Sequence, residues 1–160
     1  MLHFCAWLQN NSLLVAINSS IVLSAIMEVA HYAGFFLLVG TIAIVDLRVL
    51  GVAGRGQNVG TLGAELFPWM WVGLVFAFLS GFVMFSGDAA DFYLASVFRI
   101  KIAVIALAVI FGIIVQWNAR KWGQSPSISA GAKLLALISL VLWIGAILAS
   151  VEVPAISGVG

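Results

Sequence analysis

Glu28 and His31 stand three residues apart in "IMEVAHYAGFFLLVG", residues 26 to 40, a stretch otherwise apolar enough to dissolve in lipid. On a helix that spacing sets the carboxylate and the imidazole about one turn apart on one face. Such a pair could ligate a metal, relay a proton or close an ion pair with a cation brought from elsewhere in the chain. Arg99 and Lys101, in "FRIK", supply that cation. Met84 adds a soft thioether. A third group opens the chain: in "MLHFC", His3 stands where imidazole, amine and intervening amides chelate Cu(II) or Ni(II), with Met1 and Cys5 as soft donors for Cu(I). The competing reading, an interfacial segment anchored by His3 and Trp7, is the one we favour.

The solvent decides which elements can hold these groups. Of 160 residues, 64% are hydrophobic and 8% charged, and the mean hydropathy is +1.20, far above a water-soluble domain. A net charge of +1 lacks the basic footprint of a nucleic-acid binder, so the lipid bilayer is the expected partner. One cysteine makes no internal disulfide, and no CxxC or CxxCH offers a zinc or covalent haem cradle. No GxSxG, HExxH, P-loop or dinucleotide fingerprint occurs. The start lacks the positive region of a secretory signal and reads as mature sequence.

Crossing ~30 Å of hydrocarbon takes about 20 mostly apolar residues as a helix. Four runs meet this requirement, near 21–46, 66–86, 98–118 and 132–151, the second starting at Pro68, which a first helical turn tolerates. "GVAGRGQNVGTLG", "SGDAADFY" and "WGQSPSISAG" separate them, as loops short enough to join antiparallel neighbours. The prediction is an all-α, integral membrane, antiparallel four-helix bundle over 21–151, with an interfacial amphipathic segment at 1–20 and a tail at 152–160. Arg48, Arg55, Arg120, Lys121 and Lys133 fall on one side and Asp88 and Asp91 on the other, which places both termini extracytoplasmic. Asp46 and Arg48 read as charges closing the first span at the inner boundary. Trp69, Trp71, Trp117, Trp122 and Trp143 read as interface anchors, Trp143 being deep enough to line a cavity.

In that topology His31 lies about 15 Å below the outer boundary at ~1.5 Å per residue, with Glu28 about one turn higher. An ionisable group there costs at least ~2.5 kcal/mol and needs a partner. Arg99 and Lys101 enter from the same side at similar depth, so an ion pair with Glu28 is one expectation. It would make the group a polar clip fixing helix register. The other makes His31 the axial ligand of a haem b iron, with Arg99 and Lys101 on the propionates and Glu28 pairing with one of them or orienting the site. Gly34 would leave room for the macrocycle edge and Phe35 would stack on it. The strip Gly73, Ala77, Gly81 would serve as slot or as close helix contact. Met84 is a candidate sixth ligand, and the iron would be five-coordinate, His/Met, or shared between subunits.

The motifs "E-x-x-H", "LLVGTIAIVDLRVLG", "PWMWVGLVFAFLSGFVMF" and "FRIK" resemble a CopD-like family of bacterial four-helix membrane proteins, distantly similar to HemJ-type protoporphyrinogen oxidases. The resemblance covers residues 1 to 151. It implies a bundle in the bacterial cytoplasmic membrane, with a first-helix histidine and a third-helix lysine as the functional positions, associated with b-type haem; His31 and Lys101 stand there. Where the relatives carry a further histidine at the end of the third helix, "VQWNARKW" has Trp117, and the chain also lacks the Met- and His-rich decoration of a copper importer. What remains implied is a haem-binding bundle.

These readings converge on electron transfer between a quinone pool or membrane partner and an extracytoplasmic redox protein. Two alternatives stand beside it: a non-catalytic subunit of a larger complex or homo-oligomer, and a small metal or proton transporter using Glu28 and His31.

Overall fold

A helix begins where a side-chain oxygen can accept the amide hydrogens that its first turn leaves unpaired, and Asn11, Ser20 and Asn58 do so here. The computed structural model describes residues 2–125 and 127–157, and side-chain surroundings as far as residue 150. Its elements are α1 (Leu2–Gln9), α2 (Ser12–Ser19), α3 (Ile21–Leu50), α4 (Val59–Gly87), α5 (Ala89–Leu94), α6 (Ser96–Gly123) and α7 (Ala130–Ser157). Among the described residues there is no strand. Helices α3, α4, α6 and the Ala130–Ser150 part of α7 are long and apolar enough to cross a membrane. The protein is an all-α, multi-pass membrane bundle of four long helices.

The helices outrun the predicted spans, because hydropathy finds the length that matches lipid while capping decides where a helix stops. Helix α4 begins seven residues before 66, at Val59, since the Asn58 side chain accepts from the Gly60 and Thr61 amides. Pro68 therefore lies inside α4 rather than in its first turn. Helix α3 continues to Leu50, where Gly51 turns left-handed at φ 77° and its N–H returns to the Leu47 and Arg48 carbonyls. Helix α7 continues to Ser157, through most of the predicted tail; residues 158–160 lie outside the described residues.

Asn58 also donates from Nδ2 to the Gly123 carbonyl at 2.6 Å, tying the start of α4 to the end of α6. Asn58→Ala loses both roles and is expected to cost about 1–2 kcal/mol, read as a lower unfolding midpoint in detergent. Asn58→Asp keeps the acceptor and loses the tie, so it should recover about half.

Buried side chains gather toward the end that carries Arg48, Arg55, Arg120 and Lys121, the basic end. There Leu38, Ile42, Val45 and Val49 of α3 meet Val59, Leu62, Phe67 and Met70 of α4, Ala108, Val115 and Ala119 of α6, and Ala132, Ala136 and Trp143 of α7. Trp143 is 1% exposed and belongs to this core, not to an interface belt: its position on α7 continues the buried stripe Ala132, Ala136, Ser139. Trp69, Trp71 and Trp117 are exposed, as belt residues should be. At the opposite end the packing loosens, and Ile21, Val22 and Val29 of α3 are exposed.

That looser end is capped by α1, α2 and α5. Cys5, Leu8 and Ala89 form a second small core with Leu14 and Phe85, and Asn18 Nδ2 donates to the Val83 carbonyl and the Ser86 hydroxyl, each at 3.1 Å. The N-terminal segment is thus two helices docked on the end of α4, with Phe4, Trp7 and Leu13 left exposed. Cys5 is buried while His3 is exposed, because two helical positions separate them by about 200°. Cys5 cannot join His3 in a copper chelate; Met1 lies outside the described residues.

Candidate functional site

The contact between α3 and α4 is the most extensive in the bundle, and glycines make it. A Cβ on Gly34 would lie 2.6 Å from the Ala77 nitrogen and 2.9 Å from the Gly73 oxygen, and one on Gly73 would lie 2.6 Å from the Leu38 nitrogen. The two backbones touch. The space expected beside Gly34 for a macrocycle edge is closed, and the small-residue strip of α4 is a helix contact instead. Phe35 turns to α7, its ring 6.3 Å from that of Trp143 and inclined at 64°.

One turn before Gly34, the His31 ring lies over Gly81, where a Cβ would come within 2.8 Å of Cε1 and 3.0 Å of Nδ1. Its Nδ1 is 2.9 Å from the Ala77 carbonyl oxygen. A carbonyl has no hydrogen to give, so Nδ1 carries the proton and donates. The Ser80 hydroxyl stands 3.4 Å from the same nitrogen and gives its own hydrogen to the Phe76 carbonyl. This leaves Nε2 with a free lone pair on a ring whose orientation is fixed, the arrangement that metal-ligating histidines use.

Lys101, half-buried on α6, is near enough for its charge to act on His31. Arg99 is exposed, because two positions on α6 turn it about 200° away from Lys101. Glu28 is exposed as well: the inward face of α3 at this level runs through Ser24, Met27, His31 and Gly34, all at least partly buried, and Glu28 stands about 100° round from Met27. No carboxylate charge acts on Lys101, so the ion pair expected between Glu28 and Lys101 or Arg99 is not made among the described residues. Met84 is half-buried one turn beyond Gly81 along α4.

Asp46 departs furthest from its reading as a boundary charge. It is 0% exposed, inside the core. It shares one buried stripe with Leu38, Ile42 and Val49, which the sequence does not mark because the exposed positions of α3, such as Phe36 and Ile44, are as apolar.

No protein-family model, no curated protein and no solved structure matches the chain. The geometry itself must speak for haem b. A fixed imidazole with free Nε2 and a nearby cation suit that group; Gly34 offers it no slot, and α3 and α6 scarcely touch because they stand diagonally in the ring α3, α4, α6, α7.

Proposed function

We propose that the protein binds haem b in the bacterial cytoplasmic membrane, with both termini extracytoplasmic, and passes electrons between a membrane donor such as quinone and an extracytoplasmic redox partner. The observation that carries this reading is the Nδ1 hydrogen bond of His31 to the Ala77 carbonyl, which holds the ring and leaves Nε2 free. His31 would be the axial ligand and Lys101 the propionate partner, with Met84 the candidate for the sixth position. Haem would supply a one-electron couple. The chain contributes the oriented imidazole, the cation and an apolar surround. Arg99 and Glu28 face outward and drop out of the protomer's own ligand set; their exposure suits contact with a partner.

The test is a visible absorption spectrum of protein expressed with haem supplied. A Soret band is expected, abolished in His31→Ala. Gly81→Ala retains the imidazole but drives a methyl against Cε1, so it should shift or weaken the band. A colourless wild type would sink the reading and favour the second, in which the bond from His31 to Ala77 only sets the register of α3 on α4 and the chain is an accessory subunit.

A further inference from the structure

Asp46 is fully buried, and neither carboxyl oxygen has a hydrogen-bond partner. The Ser139 side chain of α7 lies beside it, itself 0% exposed and with its Oγ unengaged. One turn further along α7, Trp143 Nε1 is buried and unpaired too. Such groups are costly in an apolar core, an unpaired carboxylate most of all. Among the described residues no charge offsets it. Glu65 of α4, Arg120 and Lys121 of α6 and Lys133 of α7 are all exposed, α2 has no titratable side chain, and Arg48, two positions on in α3, gives its Nε–H to the Gln57 carbonyl.

The donor set selects the ligand. A divalent metal ion asks for about six oxygens, and the described residues leave unpaired in the interior the two of Asp46, that of Ser139 and, on α6, Gln116 Oε1. A proton needs one carboxyl oxygen and one acceptor. An open cleft of about 350 Å³ at the basic end is lined by Arg48, Val49, Asn58, Trp122 and Lys133, among others; Asp46 does not line it, but stands one turn along α3 from Val49, which does.

We propose that Asp46 is a proton-binding site within the bundle, exchanging with water in the cleft at the basic end. The carboxylate takes a proton from hydronium, forming one O–H bond and leaving water; the acid's hydroxyl donates to Ser139 Oγ; release reverses both steps. No electron moves, and the site is independent of His31.

Infrared pH-difference spectra of the full chain in lipid vesicles test this. The carbonyl-stretch band of a protonated carboxyl in apolar surroundings is expected to appear and vanish with pH, and to shift when aspartate carrying a ¹³C side-chain carboxyl is incorporated. Only Asp46, Asp88 and Asp91 would carry the label, and the last two are exposed. The band should be lost in Asp46→Asn, retained in Glu28→Gln and His31→Ala, and moved in frequency in Ser139→Ala, where the acceptor is gone. The label assigns the band in the wild type even if Asp46→Asn fails to fold. An unlabelled-like spectrum of the labelled wild type, a band surviving in Asp46→Asn, or a band that responds to sodium at constant pH would each overturn the proposal.

Discussion

Gly34→Ala is expected to force α3 and α4 apart and to lower stability by about 3 kcal/mol, roughly a hundredfold in the folded to unfolded ratio. The new methyl would meet the Ala77 nitrogen at 2.6 Å and the Gly73 oxygen at 2.9 Å. These are backbone atoms of a hydrogen-bonded helix and cannot rotate aside, so the helices themselves must move. Overpacking accounts for about 1–3 kcal/mol. His31, one turn away, then loses its bond to the Ala77 carbonyl, which adds about 1 kcal/mol. Gly73→Ala disturbs the same contact, so the double variant should fall short of the sum of the two. Gly40→Ala is the control, because nothing lies within 4 Å of a Cβ there. Denaturation midpoints in mixed micelles read the effect. A Gly34→Ala midpoint equal to that of Gly40→Ala would show that the two backbones do not touch.

Trp143→Ala carries the next largest loss. In a water-soluble core, deleting a buried Trp costs about 3–5 kcal/mol, part of it the return of apolar surface to water. A membrane helix that comes loose still has lipid around it, so that part is missing. What remains is the cavity and the lost contacts with Phe35 and its neighbours, about 2–3 kcal/mol. Trp143→Phe should behave differently: it keeps an aromatic ring against Phe35 and removes an indole N–H that has no partner. Its stability should match the wild type or exceed it. If Phe costs as much as Ala on the same denaturation curves, the indole N–H has a partner after all.

Several parts of the site are legible from the chain alone. Four apolar runs of spanning length became four long helices, since hydropathy and helix length are local properties. Counting residues from the span ends places Glu28 at a depth similar to that of Arg99 and Lys101, yet the helical faces of Glu28 and Arg99 turn both outward. The outward turn of Arg99 is available from its two-residue offset, although "FRIK" invites reading it with Lys101 as one cationic pair. Helix starts are less legible: apolar content stops at lipid thickness, whereas Asn58 caps a helix that begins well beyond it.

Composition and spacing thus determined by themselves the class, the number of long apolar helices and the clustering of basic residues at one end. Only the tertiary structure decided that Gly34 touches a backbone instead of a cofactor, that Glu28 faces out while His31 docks on Ala77, and that Asp46 lies against Ser139 instead of in headgroups. The physical reason lies in the solvent. In water an apolar stripe marks the face a helix turns to its protein, but lipid is as apolar as a protein interior, so on a membrane helix the stripe is missing and both faces read alike. Which face meets protein is then settled by close packing and by where polar atoms find partners, and both depend on helices far apart in the chain.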